Sequence, residues 1–170
     1  MVTVSTAQAA LRVNRRRMGD LVRFVARCEG AELAAIDLAV VDESAMAELN
    51  RRYLGHSGTT DVISFDLSDA SQRGIAAQVV VCGDVAARQG PLHGLTPAEE
   101  LMLYVVHGLL HLMGYDDQSV RGASRMRARQ DEILAAFVTK PRTQGGRIAG
   151  KADRKTPAST GKRKGRRADA

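Results

Sequence analysis

The sequence predicts a mixed α+β fold, in which about five helices pack around a small four-stranded sheet. Candidate strands and helices alternate along the chain, which is typical of a layered structure. Hydrophobic residues make up 44% of the 170 residues, enough for the core of one domain. One segment, residues 101–114, is apolar on nearly every side, so we expect it to form a buried central helix.

Four segments have the pattern of strands. Val2–Ser5 is a short candidate edge strand, and Ile36–Asp42 is a second candidate. Asp61–Leu67 alternates apolar and polar side chains, as a half-buried strand does, and Ala76–Asp84 is apolar almost throughout. Because aromatic residues are only 4% of the chain and Trp is absent, the core is expected to consist of Ala, Val, Leu, Ile and Met.

Four further segments are expected to be helical. Apolar residues recur at helical spacing over Ala7–Cys28, and this helix should end near Gly30. A short helix should run over about Asp42–Leu49, and a helical turn or more over Val85–Gln89. The last helix is expected over about Ser119–Phe137.

The central helix has clear signals at both ends. Thr96 is the expected N-cap, Pro97 occupies the first helical position, and Glu99 completes a capping box. Gly114 is the expected C-terminal stop.

The net charge of +6 is divided unevenly along the chain. Residues 1–139 contain 14 arginines, no lysine and 17 acidic residues, a net charge of −3. Residues 140–170 contain 11 basic and 2 acidic residues, a net charge of +9, and Ile148 is their single large apolar side chain. We therefore place a domain boundary at Lys140 and expect a disordered basic tail after it.

The spacing of the cysteines and the hydropathy of the chain indicate the cellular compartment. Cys28 and Cys82 lie far apart without CxxC spacing, which favours buried free thiols over a disulfide. The N-terminus lacks the pattern of a signal peptide, and the longest apolar run is too short to span a bilayer. We expect a soluble cytoplasmic protein that does not associate with membranes.

Two histidines stand out in the central helix. The i, i+4 spacing of His107 and His111 places both imidazoles on one face, where they can bind one metal ion. The alternative is a pair of core histidines hydrogen-bonded to backbone carbonyls, the commoner reason for such a pair. Gly108 between them should leave room for a backbone, a metal-bound water or a substrate to approach.

The flanking residues favour the metal site. Gly114 ends the helix just after His111, and a six-residue step from His111 to Asp117 can fold the aspartate back over the histidines. Three protein ligands with an open fourth position are typical of catalytic zinc. Gly108 stands where an HExxH zinc peptidase has its glutamate base, which disfavours peptide hydrolysis. A metal-bound water acting on a phosphodiester needs no such glutamate.

Two long motifs carry a resemblance to a known family. HGLLHLMGYDD, His107–Asp117, resembles the H-G-x-L-H-L-x-G-Y-D-H signature of the YbeY family. LNRRYLGHSGTTDVISFD, Leu49–Asp66, is similar to that family's L-N-x-x-Y-R-G-x-x-x-x-T-D-V-L-S-F segment without gaps. A weaker match is VVVCGDVAARQ, Val79–Gln89. The resemblance covers roughly Val2 to Phe137 and leaves out the tail.

The resemblance implies a zinc-dependent endoribonuclease specific for single-stranded RNA, acting in 3′-end maturation of small-subunit rRNA and in ribosome quality control. It implies rRNA, the small ribosomal subunit and its assembly factors as partners, and DNA is not expected. In the family, three histidines of the signature hold one zinc ion. By position, His107 and His111 are two of these ligands, and Asp117 replaces the third histidine.

Asp117 changes the expected chemistry of the site. An aspartate oxygen is a legitimate zinc ligand, so two histidines and one aspartate are our leading interpretation. This set also resembles the triad of non-haem iron proteins, which makes iron or manganese an alternative to zinc. An anionic ligand should make the bound water less acidic than a neutral third histidine would.

A second departure from the family is Leu54, where the family commonly has an arginine facing RNA. Arg51, Arg52 and His56 are nearby substitutes for RNA binding or catalysis, against the plainer interpretation of solvated surface. Two polar residues of the strand motif and one loop histidine are weaker candidates for a functional role. Asp61 and Ser64 are expected to be structural, and His93 is a minor candidate for a contact with the metal.

The tail is a candidate RNA-binding segment, because several Lys and Arg side chains give sequence-independent affinity for phosphates. The basic cluster near its end consists of Lys162, Arg163, Lys164, Arg166 and Arg167. A solubilising extension is the alternative. For the whole protein, the alternatives to a nuclease are a non-catalytic ribosome-assembly or RNA-binding factor with a structural or degraded metal site, and a different metallohydrolase.

Overall fold

The computed structural model describes residues 1–71 and 73–139 of the chain. In order, its strands and α-helices are β1 (Val2–Ala7), α1 (Arg15–Glu29), β2 (Leu33–Val41), α2 (Glu43–Leu49), β3 (Val62–Asp66), β4 (Ile75–Cys82), α3 (Gly83–Gln89), α4 (Pro97–Leu112) and α5 (Val120–Thr139). A π-helical segment, Asn50–Leu54, follows α2, and a 3-10 turn, Gly90–His93, follows α3. The predicted α+β fold with a four-stranded sheet and five helices is confirmed.

The four strands form one mixed sheet in the order β1-β2-β4-β3. β1, β2 and β4 are parallel to one another, and β3 pairs with β4 in the antiparallel direction. Leu38 and Val40 of β2, and Val79 and Val81 of β4, are fully buried. These two central strands supply much of the aliphatic core that the composition predicts.

The first helix begins later than the sequence predicts. α1 begins at Arg15 rather than Ala7, because β1 continues to Ala7 and pairs with β2 along its whole length. Asn14 caps the helix, since its side-chain oxygen accepts a hydrogen bond from the backbone N–H of Arg17 at 3.0 Å. The predicted end is correct, because Gly30 follows with a φ of 65°.

α4 is the predicted central helix and begins with the predicted capping box. Thr96 Oγ1 accepts from the backbone N–H of Glu99 at 3.3 Å, and Glu99 Oε2 accepts from the backbone N–H of Thr96 at 2.8 Å. The helix ends at Leu112, and Gly114 turns the chain with a φ of 88°. Because α4 packs against α1, α3, α5, β3 and β4, most of its side chains are buried.

Gly108 of α4 lies directly against β3. A Cβ atom there would lie 2.7 Å from Ser64 Oγ and 2.8 Å from Val62 Cγ2, closer than side chains can approach. The Ser64 hydroxyl also donates to the Gly108 carbonyl at 3.1 Å. Of the roles predicted for this glycine, the close approach of another segment is the one that the structure supports, and Ser64 is the packed polar group that the sequence predicts.

Three further expectations concern the thiols, membranes and the tail. Both cysteines are free, but Cys28 is half-buried rather than buried as Cys82 is. Within residues 1–71 and 73–139, every helix is too short or too polar to cross a membrane. The predicted boundary at Lys140 and the basic tail, with its RNA-binding candidates, lie outside the described residues.

Replacing Gly108 by alanine is expected to destabilise the fold by about 1–3 kcal/mol, the usual cost of overpacking a core. The matched control is Gly19→Ala in α1, where the nearest atom is the guanidinium nitrogen of Arg23 at 3.3 Å. That flexible side chain can move, and the better helix propensity of alanine should keep or raise stability. Urea unfolding measures both variants, and equal free energies of unfolding would contradict the tight contact between α4 and β3.

Candidate metal centre

Four polar side chains form a stripe along one face of the otherwise apolar helix α4. Glu100, Tyr104, His107 and His111 follow one another at spacings of four, three and four residues, which places them one above another. Glu100, Tyr104 and His107 line a cleft of about 830 Å³. The helix is therefore buried for most of its circumference and polar only where it meets this cleft.

The two histidines of this stripe point their Nε2 atoms at each other. The two nitrogens lie 3.0 Å apart, and the rings are nearly perpendicular, with centroids 4.6 Å apart. His107 Nδ1 lies 3.3 Å from Oε1 of Gln130, and His111 Nδ1 lies 3.1 Å from the carbonyl oxygen of Tyr115. Both Nδ1 atoms therefore have an oxygen partner of their own.

These partners fix the tautomer of each ring. An amide oxygen and a carbonyl oxygen only accept hydrogen bonds, so Nδ1 carries the proton in both histidines. In the neutral rings both Nε2 atoms then have lone pairs, and these lone pairs face each other across 3.0 Å. Two acceptors at this distance repel each other, and a shared cation removes the conflict. The donor set of the structure itself thus fits a metal ion.

Asp117 supplies an oxygen to the same place. Its Oδ2 lies 3.5 Å from Nε2 of His111 and 3.8 Å from Nε2 of His107. One ligand atom from each of the three residues falls within 4.8 Å of the other two, so the group can hold a metal ion. The turn at Gly114 returns the chain, and Tyr115 donates its backbone N–H to the carbonyl of Leu110 at 3.0 Å.

The surroundings of His107 favour its uncharged imidazole form. Burial lowers the pKa of His107, and the neighbouring His111 lowers this pKa further, against smaller opposing effects of Asp61, Gln130 and Asp117. Neutral imidazole is the form that binds metals. Its environment therefore holds His107 in the metal-binding state near neutral pH.

A hydrogen-bond network anchors the turn that carries Asp117. The Tyr115 hydroxyl donates to Glu29 Oε2 at 3.0 Å, and Arg129 Nε donates to the other oxygen of Glu29 at 2.7 Å. Arg129 also donates to the carbonyl of Cys28 at 3.0 Å. The end of α1 and the middle of α5 thus fix Tyr115, whose carbonyl orients His111.

The cleft beside the histidines contains groups of both charges. His107 and Asp117 line it together with Asp61 and two arginines, one from α3 and one from α5. Arg88 is held by Glu43 through two hydrogen bonds of 3.0 and 3.2 Å. Arg127 of α5 is exposed and has no carboxylate partner among the described residues, so its guanidinium is available to a ligand.

The structure separates the other predicted candidates from the metal centre. Arg51 pairs with Glu48, Arg52 lies over the ring of Tyr53, and neither they nor His56 line the cleft. The candidates of the tail, from Lys162 to Arg167, lie outside the described residues. Their proposed contact with RNA therefore stays a prediction.

Two of the lesser candidates line the cleft. Asp61 Oδ1 accepts from the backbone N–H of Val62 at 2.9 Å, which agrees with its predicted role at the start of β3. His93 bonds to Glu100 and is not part of the group of three metal-binding side chains. Sequence reasoning missed Glu100 and Gln130, although a glutamate seven residues before His107 on the same helical face is a visible signal.

The chain is similar to known proteins over most of its length. A family described as endoribonuclease YbeY matches residues 3–138. A relative named endoribonuclease YbeY from a Nocardioides species is 37% identical over 131 residues, covering 72% of this chain and 88% of the relative. Another with the same name, from Salinibacter ruber, is 38% identical over 128 residues, covering 71% and 82%.

A solved structure shares the fold. The solution structure of TM1509 from Thermotoga maritima matches with a TM-score of 0.55 and 21% identity, covering 89% of this chain and all of that one. The family match spans the sheet, α4 and the turn that carries Asp117. From this coverage and the identity of the relatives, the chain belongs to the YbeY endoribonuclease family.

Proposed function

We propose that this protein is a metal-dependent endoribonuclease that cleaves single-stranded RNA in the 3′-end maturation of small-subunit rRNA and in ribosome quality control. The observation that carries the proposal is the pair of facing Nε2 atoms, completed by Asp117, on the wall of an open cleft. The partners that follow are rRNA, the small ribosomal subunit and its assembly factors, in the cytoplasm.

His107, His111 and Asp117 would hold the metal ion. Zinc suits two imidazoles and one carboxylate, and the same donor set makes iron and manganese the alternatives to test. When bound, the cation supplies Lewis acidity toward the scissile phosphodiester, which stabilises negative charge developing on the phosphoryl oxygens.

The residues around the triad have separate tasks. Gln130 and the carbonyl of Tyr115 keep Nδ1 of each histidine protonated, so that both Nε2 lone pairs stay directed at one point. Arg127 offers an unpaired guanidinium on the cleft, suited to a phosphate oxygen of the RNA strand. The Glu29–Arg129 pair holds the turn that carries Asp117 and so limits the movement of its carboxylate.

Two alternative functions have less support. A non-catalytic assembly factor is not favoured, because the relatives are named for an endoribonuclease activity. Peptide hydrolysis would need a base next to the metal, and at Gly108, where that glutamate would stand, there is no room for a side chain.

Metal analysis with RNA cleavage tests the proposal. His107→Ala and Asp117→Ala should each lose bound metal and the cleavage of single-stranded RNA. Both losses should exceed about 10–100-fold, which is the usual cost of removing a residue that only hydrogen-bonds to a metal ligand. Asp117→His should keep the metal, because imidazole replaces the carboxylate oxygen. Asp131→Ala, which removes a cleft carboxylate outside the triad, is the control for metal content. Full metal content in Asp117→Ala would show that Asp117 is not a ligand.

Gln130 is expected to support metal binding through His107. Gln130→Met, a substitution of similar size, should weaken the affinity for metal about 10–100-fold, because Nδ1 loses the oxygen that fixes its tautomer. Competition with a chelating dye measures this affinity. Gln130→Glu keeps an acceptor oxygen and should bind metal at least as well as the wild type, whereas equal weakening in both variants would assign Gln130 to packing alone.

The tail is expected to supply general RNA affinity to a domain whose net charge is −3. A protein ending at residue 139 should bind single-stranded RNA more weakly. Its affinity should also depend less steeply on salt, since each phosphate contact removed lowers the logarithmic slope by about 0.7. Fluorescence anisotropy at several salt concentrations measures both quantities. An unchanged slope would assign the tail a role other than RNA binding, and an unchanged metal content of the truncated protein would verify that the domain is intact.

A further inference from the structure

Glu100 is an unusual residue for the inside of a protein. Its side chain is 1% exposed, in the first turn of α4. Oε2 is buried and has no hydrogen-bond partner among the described residues. A buried carboxyl group without full hydrogen bonding costs stability, so the contact made by its other oxygen, Oε1, gains importance.

The partner of Oε1 is His93 in the 3-10 turn after α3. Its Nδ1 lies 3.0 Å from Glu100 Oε1, whereas the imidazole ring is 55% exposed and lines the same cleft as His107 and Asp117. This hydrogen bond holds a half-exposed imidazole ring on the cleft wall, above a buried carboxyl group.

The ring nitrogen of His93 that does not face Glu100 is Nε2. When both ring nitrogens carry protons, Nδ1 donates to Glu100 and Nε2 presents an N–H to the cleft. Among the described residues Nε2 of His93 has no hydrogen-bond partner, so this N–H is available to a ligand in the cleft. A positively charged donor of this kind suits an anionic oxygen, above all that of a phosphate.

The position along α4 separates this contact from the metal centre. His107 follows Glu100 by seven residues, which corresponds to about 10 Å along the helix axis. That distance exceeds the size of one phosphodiester group, so a ligand that meets both places has to be an extended chain. A strand of RNA bound at the triad would bring a neighbouring phosphate, rather than the scissile one, to His93.

We infer that the His93–Glu100 pair is a second phosphate subsite, which binds an RNA phosphodiester flanking the one at the metal centre. This inference rests on the proposed endoribonuclease function. His93 is the residue that contacts the RNA strand. Glu100 is a positioning residue, which holds the imidazole ring of His93 in place through their hydrogen bond. Arg127 borders the same cleft and adds to its attraction for phosphate.

A thermodynamic cycle on short single-stranded RNA tests the subsite. A set of pentanucleotides, each with one phosphate replaced by a neutral methylphosphonate, is titrated against the wild type and His93→Gln. Loss of one charged hydrogen bond should weaken binding of unmodified RNA about 10-fold or more. For the wild type, one methylphosphonate position should cause a similar loss. In His93→Gln that same substitution should have no further effect, which is the coupling that a direct contact requires.

Two further variants control the experiment. Leu92→Gln changes an exposed side chain of the same 3-10 turn and should bind every oligonucleotide as the wild type does. Glu100→Gln keeps an acceptor oxygen for His93 but removes the charge, so it should show a smaller loss at the same phosphate. If Glu100→Gln does not fold, the His93→Gln cycle still decides the question.

The outcomes separate the subsite from the proposed function. Cleavage of the unmodified RNA by the wild type, measured in parallel, tests the nuclease and maps the scissile phosphate. Coupling between His93 and a phosphate next to the scissile one supports the subsite. Coupling at the scissile phosphate itself, coupling at no phosphate, or wild-type binding by His93→Gln would overturn it. Because binding is measured without turnover, coupling at one phosphate supports the contact even if no cleavage is found.

Discussion

The burial of α4 is the constraint on which the rest of the structure depends. The helix contacts the sheet and three other helices, so any polar side chain on it must find a partner or face the cleft. Four of its polar residues lie on one stripe, in which Glu100 contacts His93 and His107 faces His111. A cation shared by the two histidines would satisfy both of them, so the helix that stabilises the fold also carries the candidate metal centre.

The metal centre depends in turn on segments far away in the sequence. Glu29 at the end of α1 binds both Tyr115 and Arg129, and so joins the N-terminal helix to the turn and to α5. The contact between Gly108 and Ser64 likewise determines how closely α4 packs against β3. Loosening either contact shifts the histidines against Asp117, so stability and metal affinity are coupled through them.

The sequence predicted those features that depend on local chemistry. The capping box at Thr96 and the turn at Gly114 need only neighbouring residues, and the spacing of His107 and His111 needs only the helical period. The six-residue step from His111 allowed Asp117 as a third ligand, and the family resemblance then matched it to the position of the third histidine. Features that depend on packing were missed or misjudged. The start of α1 was set by pairing between β1 and β2, and Gln130 and Glu100 gained their meaning only from α5 and from His93.

The charges that line the cleft bear on the proposed binding of metal and RNA. Asp61, Glu100, Asp117 and Asp131 line it, and the described arginines there are Arg88, which Glu43 neutralises, and Arg127. With the triad's cation absent, such a surface repels phosphates. In the proposed function, a divalent ion at the triad would cancel the charge of Asp117 and leave a net positive charge there. Metal binding and RNA binding would then be linked, because residues 1–139, with a net charge of −3, attract an anionic strand only where cations outweigh their own charge.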